Sequence, residues 1–171
     1  MISEERRKKI INLLKKADRP LSGTELSEKY NVSRQIIVQD IAILRAEGND
    51  IIATAKGYLF PKIEMNTIHK TIAVKHTNDS MENELYTIVE YGAKVLDVTV
   101  EHPIYGELKA NLMLTTQEDV DNFIADFKAS GAEPLSVMTN GVHLHTIEVP
   151  SIKVYDMIIN DLKEKGLLLD K

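Results

Sequence analysis

Apolar residues recur at helical spacing in three stretches of the first fifty residues. The first stretch predicts a helix over Glu4–Ala17. The second is short and begins at Ser22, which has the spacing of a capping box with Glu25. The third begins with a cap at Ser33 and ends near Gly48. Two short β-rich runs follow and predict a hairpin, Ile51–Thr54 and Gly57–Phe60.

The rest of the chain alternates between strand-like and helix-like patterns. Strands are predicted at Ile68–Lys75, Lys94–Val100, Gly106–Leu114, Leu135–Met138 and Val142–Val149, with a short edge strand at Leu167–Leu169. Helices are predicted at Asn78–Tyr91, Thr116–Lys128 and Ser151–Lys165. The pair Asn140-Gly141 is a strong hairpin signal and predicts a turn between the strands Leu135–Met138 and Val142–Val149. This part of the chain therefore predicts a compact α+β sandwich.

The patterns divide the chain into a helical domain over residues 1–61, a linker over 62–66 and an α+β domain over 67–171. The first 61 residues carry 11 Lys and Arg against 8 Asp and Glu, a net charge of +3. The remainder carries 10 against 18, a net charge of −8. A positive first part can approach phosphate while the acidic part stays away from it, although an excess this small also arises by chance.

Composition limits the cellular compartments and the kinds of site that we expect for this protein. No stretch approaches the roughly 20 apolar residues that span a membrane. The charged N-terminus is not followed by the apolar run of a signal peptide. There are no cysteines, which excludes disulfides and thiolate metal sites. We therefore expect a cytoplasmic protein without a membrane partner.

The third helix has one apolar and one polar side. Ile37, Ile41 and Leu44 form a stripe that we expect to be buried. The opposite side, near the start of the helix, carries Arg34, Gln35, Val38 and Gln39. Arginine pairs with guanine and glutamine with adenine, so this side suits a recognition helix in the major groove. The alternative is a plain three-helix bundle with solvated polar groups, and the hairpin directly behind the third helix favours DNA binding instead.

The stretch N-V-S-R-Q-I-I-V-Q-D-I-A-I-L-R-A-E-G, Asn31–Gly48, resembles the turn and recognition helix of the winged helix-turn-helix regulators of bacteria. The resemblance implies that the chain binds double-stranded operator DNA and that the hairpin is the wing. Regulators of this type need two recognition helices for a palindromic site, so we expect a homodimer. We assign base reading and phosphate contacts to seven residues: Ser22, Thr24, Ser33, Arg34, Gln35, Gln39 and Lys56.

Histidines in the second domain have the spacing of metal ligands. His143 and His145 stand two apart in one strand, so alternation places both on one face, where they can converge on one ion. His76 ends an earlier strand, just before a helix that carries Glu82 and Glu84. A strand end beside a helix start can present a third imidazole and a carboxylate together. Spacing alone leaves open whether these residues form one site or are independent surface groups.

Three imidazoles and one carboxylate suit Zn²⁺, Ni²⁺, Co²⁺ or Fe²⁺, and we expect one ion per chain, with Ni²⁺ or Zn²⁺ favoured. Three segments resemble the three-histidine domain of the niacin-responsive, NiaR-like transcriptional repressors: A-V-K-H (Ala73–His76), V-E-H-P-I-Y-G-E (Val100–Glu107) and G-V-H-L-H-T-I-E (Gly141–Glu148). That family has the same order of winged helix and histidine domain, so the resemblance covers essentially the whole chain.

The resemblance implies a ligand set and a function. The residues that match the family's metal ligands are His76, Glu84, His143 and His145. The family represses genes of niacin uptake and NAD synthesis, with nicotinic acid as co-repressor. His102 precedes Pro103, so its backbone is extended, and Tyr105 follows closely. We assign His102 and Tyr105 to the effector pocket, and a purely structural role of His102 is the alternative.

Two other functions compete with a niacin-responsive repressor. In the first, the chain is a metal-sensing repressor and the ion itself is the signal. In the second, it is a metal-dependent enzyme with a DNA-binding appendage. The sequence has no nucleophile elbow, no Gly-rich phosphate loop and no His-Glu-x-x-His helix, so we do not expect an enzyme.

Overall fold

The computed structural model describes residues 2–62 and 67–169, and the chain divides into two compact units near residue 63. Each unit has its own apolar core. Of the expected linker over 62–66, only Lys62 belongs to the described residues.

The described residues of the first unit form three helices and one β-hairpin, as expected. Its elements are α1 (Ser3–Lys16), α2 (Gly23–Tyr30), α3 (Arg34–Ala46), β1 (Ile52–Thr54) and β2 (Gly57–Leu59). The predicted stripe of α3 is buried together with apolar residues of α1 and α2: the core comprises Ile10, Leu14, Leu26, Ile37, Ile41, Leu44 and Ile51.

Local hydrogen bonds explain where two of these helices begin. The Ser22 hydroxyl accepts from the Glu25 backbone N–H at 3.1 Å, and the Glu25 carboxylate accepts from the Ser22 N–H at 2.7 Å. The Ser33 hydroxyl accepts from the Ile36 N–H at 3.3 Å at the start of α3. Both caps depend only on residues three apart, which is why the sequence predicted them correctly.

The hairpin is attached to the helices through Leu21. Leu21 and Tyr58 exchange two backbone hydrogen bonds, of 2.9 and 2.8 Å. Gly57 has a φ of +125°, and a Cβ at this position would lie 2.4 Å from the Leu21 carbonyl oxygen. Only glycine therefore allows this close approach of the hairpin to the helical body.

In the second unit, residues 67–169 place three α-helices and an antiparallel sheet around one core. Its elements are β3 (Ile68–Lys75), α4 (Met81–Val89), β4 (Lys94–His102), β5 (Gly106–Leu114), α5 (Gln117–Ser130), β6 (Val142–Val149) and α6 (Ile152–Glu164). The strand order is β3-β6-β4-β5. Apolar residues of all three helices join those of the sheet in the core. The mixed α+β fold that the sequence predicted is therefore confirmed.

One predicted strand is wrong. Residues 135–139 form a 3₁₀ helix, Leu135–Thr139, and not the strand expected at Leu135–Met138. The hairpin expected at Asn140-Gly141 is also absent from the described sheet, because β6 already pairs with β3 along one edge and with β4 along the other. A strand at 135–138 would have no free edge of β6 to pair with.

Other differences are small. The helix expected from Asn78 begins as a 3₁₀ turn, Asn78–Ser80, before α4. Strand β4 continues to His102, where the expectation ended it at Val100. The expected edge strand is reduced to one antiparallel bridge, in which Leu168 pairs with Val74 on the outer side of β3.

A buried ion pair ties the first helix to the third. The Arg6 guanidinium donates to Asp40 through Nε at 2.6 Å and through Nη2 at 3.2 Å. Arg6 is 8% and Asp40 2% exposed, and the pKa of Arg6 is raised by its hydrogen bond to Asp40. Arg7 adds a second cation, with Nη1 3.6 Å from Asp40 Oδ1. The polar position 40 thus lies within the apolar stripe of α3 because α1 supplies its partner.

Replacing Asp40 should destabilise the first unit strongly. In Asp40→Ala, Arg6 stays buried without its carboxylate, and the free energy of unfolding should fall by roughly 3–5 kcal/mol. Urea unfolding followed by the NMR amide signals of α3 measures this. The control is Lys8→Ala, which removes the exposed pair between Lys8 and Glu4 and should change stability far less. Equal effects of the two substitutions would contradict a structural role of the Arg6–Asp40 pair.

Candidate functional site

The outward side of α3 is the candidate DNA-reading surface. Arg34, Gln35 and Gln39 are exposed there, and Val38 between them is 39% exposed. Ser33 caps this helix, so the free N–H groups of its first turn face the same end as Arg34. The structure therefore presents the expected base-reading residues together on one accessible side.

Arg34 is supported by the second helix. The Arg34 Nε lies 3.2 Å from the position that a Cβ on Gly23 would occupy. Gly23 is buried and is the first residue of α2. A Cβ at position 23 would be in tight contact with the Arg34 side chain, which would have to shift by a few tenths of an ångström, so Gly23 leaves room for a predicted reading residue. This contact was not predictable from the sequence, because it depends on the crossing of two helices.

The expected phosphate contacts lie in different environments. Thr24 is exposed in the first turn of α2, whereas the Ser22 hydroxyl is engaged in the capping box. Lys56 lies in the turn between β1 and β2, where its backbone N–H donates to the Thr54 hydroxyl at 3.1 Å. That hydroxyl also donates to the Gly57 carbonyl at 2.8 Å, so Thr54 stabilises the turn that carries Lys56.

The four expected metal ligands converge in the second unit. Glu84, in the first turn of α4, is 1% exposed. Its Oε2 lies 2.5 Å from Nε2 of His76 and 3.4 Å from Nε2 of His143, and its Oε1 lies 3.2 Å from Nε2 of His145. His76 follows the end of β3, and the other two histidines lie on the central strand β6. Their side chains are at most 5% exposed.

Each imidazole is oriented by a backbone carbonyl on its other nitrogen. Nδ1 of His76 lies 2.7 Å from the Thr77 oxygen, and Nδ1 of His143 lies 2.9 Å from the Gly141 oxygen. Nδ1 of His145 lies 2.6 Å from the Asp97 oxygen. A carbonyl only accepts hydrogen bonds, so each Nδ1 carries the proton of the neutral ring. The three Nε2 atoms consequently present lone pairs toward Glu84.

The cluster needs positive charge at its centre. Three lone pairs and one carboxylate are all acceptors, and among the described residues Glu84 Oε1 has no hydrogen-bond donor in good geometry. Burial disfavours the charged form of His76 and His145, but the hydrogen bond and charge of Glu84 outweigh burial and raise the pKa of both. Burial likewise opposes ionisation of Glu84, yet the three histidines hold its pKa well below the ordinary value. Protons or a cation can therefore satisfy this group of acceptors.

The residues fit a divalent transition metal. The ligand atoms of His76, Glu84 and His143 lie within 4.8 Å of one another, and His145 joins them through Glu84 Oε1. Imidazole and carboxylate are borderline and hard donors that suit Zn²⁺, Ni²⁺, Co²⁺ or Fe²⁺. Hydrogen bonds from Nδ1 to carbonyls are the usual outer contacts of metal-binding histidines.

Gly141 supports two of these histidines, a role that the sequence did not predict. Its carbonyl accepts from His143 Nδ1 and from the His76 backbone N–H, the latter at 3.4 Å. Its φ is +89°, and a Cβ here would lie 2.5 Å from the His76 carbonyl oxygen. Asn140 and Gly141 both have left-handed backbone, but their turn supports the histidine cluster and does not form the predicted hairpin.

The proposed effector residues lie at the turn between β4 and β5. His102 Nδ1 accepts from the backbone N–H groups of Ile104 at 3.1 Å and Tyr105 at 3.2 Å. The rings of His102 and Tyr105 lie 4.9 Å apart, centroid to centroid, and Tyr105 is 74% exposed. His102 thus stabilises this turn, and the structure does not bring it into contact with Glu84 among the described residues.

Two cavities open beside the histidine cluster. One, of about 480 Å³, borders His143 and is lined by two carboxylates, Glu101 and Glu107. The other, of about 450 Å³, borders His76 and is lined by hydroxyl and amide side chains, with Asp79 as its carboxylate. Either is large enough for a small planar acid, and they differ mainly in negative charge.

Within the described residues, no helix has the length and apolar character needed to span a membrane.

The family model of the HTH domain matches residues 6–59, and that of the 3H domain matches residues 69–171. An uncharacterized protein of Methanothermus fervidus is 28% identical over 153 residues, which cover 84% of this chain and 22% of that protein.

Two curated relatives align along nearly their whole length. The probable transcription repressor NiaR of Thermotoga maritima is 39% identical over 170 residues, 99% of this chain and 97% of that protein. The transcription repressor NadR of Bacillus subtilis is 39% identical over 172 residues, 99% of this chain and 96% of that protein. Transcription repressors are not enzymes, in agreement with the expectation from the sequence. The chain therefore belongs to the NiaR-like family of transcription repressors, in which an HTH domain precedes a 3H domain.

Proposed function

We propose that the chain is a cytoplasmic repressor of genes for niacin uptake and NAD synthesis, with nicotinic acid as its co-repressor. It binds double-stranded operator DNA as a homodimer, because two recognition helices are needed to read a palindromic site. The names of its two repressor relatives support control of NAD-related genes. The exposed polar side of α3 supports major-groove reading.

The convergence of three imidazole Nε2 atoms on the Glu84 carboxylate is the single observation that carries the sensor part of this proposal. His76, Glu84, His143 and His145 hold one divalent ion, Ni²⁺ or Zn²⁺. When bound, the ion supplies a Lewis-acidic centre that attracts a carboxylate or a pyridine nitrogen, and nicotinic acid has both groups. Protein residues orient the imidazoles and keep water from most of the cluster.

The two cavities differ in the negative charge that a bound carboxylate effector would meet. Glu101 and Glu107 repel an anion in the cavity beside His143, whereas one carboxylate, Asp79, lines the cavity beside His76. The contacts proposed for His102 and Tyr105 require the first cavity, because Glu101 and Gly106 are their neighbours in the chain. Tyr105→Ala keeps the backbone hydrogen bonds to His102, so loss of nicotinate affinity in this variant would place the effector in the first cavity, and unchanged affinity would argue against that cavity.

A second candidate function is metal sensing, in which the ion alone switches DNA binding. The buried acceptor cluster favours it as an alternative, since a cation alone would satisfy the acceptors without any organic ligand. The two functions separate when operator affinity is measured at saturating metal with and without nicotinate.

Substitutions on α3 and the wing should separate base reading from phosphate binding. Arg34→Ala and Gln39→Ala should each cost about 1–3 kcal/mol on operator DNA and relax specificity, since both side chains read base edges. Lys56→Ala should weaken binding to all sequences alike and reduce its salt dependence. The operator is first selected from a random DNA library with metal-loaded protein. Unchanged affinity and salt slope in all three variants would exclude this surface as the reader.

Replacing two ligands should remove the metal. The double variant His143→Ala/His145→Ala should lose the one equivalent of metal found by elemental analysis, with far-UV circular dichroism largely unchanged. The matched control is His69→Ala, which removes an exposed histidine of β3 and should keep one equivalent. A double variant that retains stoichiometric metal would place the site elsewhere.

The pH dependence of metal binding to the unaltered chain is a further test of the ligand set. Metal binds neutral imidazoles, and Glu84 raises the pKa of His76 and His145, so metal affinity should already fall as pH drops toward 6.5 from above. In metal-free protein, the stability of the folded state changes with pH in the opposite direction. Protonated His76 and His145 stabilise the folded state below their unfolded pKa, and this stabilisation is lost as pH rises through their raised folded pKa.

Nicotinate should strengthen operator binding by metal-loaded protein. A co-repressor must bind the DNA-competent form more tightly, and a coupling of about 1–3 kcal/mol, or about 5- to 150-fold, is typical. Operator DNA must raise nicotinate affinity by the same factor. Nicotinamide lacks the carboxylate and should act distinctly more weakly. Equal operator affinity with nicotinate, with nicotinamide and without either would refute the niacin-responsive function and leave the metal as the signal.

A further inference from the structure

Strand β4 pairs irregularly with both of its neighbours at Asp97. Between the pairs Val95↔Ile147 and Thr99↔Leu144, β4 has three residues where β6 has two. On the other side, Asp97 pairs with Asn111, and the register shifts between Val95 and Asp97. The two irregularities therefore overlap between Val95 and Asp97 of a central strand, next to the histidine cluster.

Backbone strain accompanies the second bulge. Met113 of β5 has a φ of +60°, in the left-handed region that long side chains rarely adopt. Such strain persists only where the surrounding structure over-determines it, and it concentrates at functional sites.

The bulge toward β6 turns the Asp97 carbonyl out of the strand ladder and onto a proposed metal ligand. The Asp97 carbonyl oxygen lies 2.6 Å from Nδ1 of His145, the shortest of the three imidazole–carbonyl contacts. The Asp97 side chain then takes the place of the lost ladder partner, since its Oδ1 accepts from the Thr146 N–H at 3.1 Å. Lys109 Nζ lies 3.2 Å from the other carboxylate oxygen. Asp97 is 5% exposed.

We propose that Asp97 is a positioning residue for the metal centre: its side chain holds the bulge open, and the bulge holds His145 in the tautomer whose Nε2 lone pair faces Glu84. This inference rests on the proposed metal-binding function of the histidine cluster. The sequence pattern of the strand does not predict this role, because an aspartate in a strand is normally assigned to the solvent-exposed face.

The side chain matters because it satisfies a buried donor. Without the Asp97 carboxylate, the Thr146 N–H loses its partner, and regular pairing of β4 with β6 becomes the better alternative. Regular pairing directs the Asp97 carbonyl back into the ladder and leaves Nδ1 of His145 without an acceptor. The ring then places its proton on either nitrogen, and the tautomer with Nε2–H cannot bind a cation. Loss of such outer contacts typically lowers metal affinity 10- to 100-fold.

Three substitutions of Asp97 separate geometry from charge. Asn keeps an acceptor oxygen at the same place, Glu keeps the charge but moves the oxygens by one methylene, and Ala removes both. Zn²⁺ affinity should stay close to that of the unaltered chain in Asp97→Asn and fall about 10- to 100-fold in Asp97→Ala and Asp97→Glu. Lys109→Ala is the control, because its side chain is 47% exposed and its pair with Asp97 should contribute little.

The second readout is the tautomer of His145 in metal-free protein, from the ring ¹⁵N chemical shifts at a pH where the ring is neutral. The unaltered chain and Asp97→Asn should show Nδ1–H alone, whereas Asp97→Ala and Asp97→Glu should show a mixture. If Asp97→Ala does not fold, the comparison of Asn with Glu decides. Unchanged tautomer and Zn²⁺ affinity in both Ala and Glu variants would overturn the proposal. If the unaltered chain binds no Zn²⁺ or Ni²⁺, the proposed metal function fails, and the tautomer still tests whether Asp97 positions His145.

Discussion

Four acceptors meet in the interior of the second unit, and their need for positive charge constrains the structure around them. Glu84 is buried, and the three histidines direct lone pairs toward it because their N–H groups are donated to carbonyls elsewhere. A buried carboxylate without compensation is unfavourable by several kcal/mol. The arrangement is therefore stable only when protons or a metal ion occupy its centre, and this requirement distinguishes a binding site from an ordinary apolar core.

The sheet supplies the geometry that the acceptors need. His143 and His145 lie on the buried face of β6, and because β6 lies between β3 and β4, both are close to the end of β3 and the first turn of α4. Two departures from regular strand structure then orient the rings: the left-handed backbone at Gly141 and the bulge at Asp97. Both present a backbone carbonyl to an imidazole Nδ1, so irregular backbone at these positions serves the site and not only the fold.

The first unit also contains a buried carboxylate, and here an arginine compensates its charge. Asp40 lies on the buried side of α3, and Arg6 of α1 compensates its charge. The ion pair fixes α3 against α1, while Gly23 of α2 leaves room for Arg34. The proposed reading side of α3 is thus presented by a helix whose buried side is held by charge as well as by apolar packing. In both units, buried polar groups help to specify the position of residues to which we assign a role in binding.

Features that depend on neighbours in the chain were predictable from the sequence. Capping residues three apart located the starts of α2 and α3, and strand alternation placed His143 and His145 on one face. Features that depend on pairing across the molecule were not predictable. Leu135–Met138 has strand-like residues, but the tertiary structure leaves no edge of β6 for it. Likewise, Asp97 and Gly141 each present a carbonyl oxygen, which every residue has, to an imidazole, and the Asp97 carboxylate accepts from an N–H of another strand. Their roles therefore exist only once β4, β6 and the end of β3 are brought together.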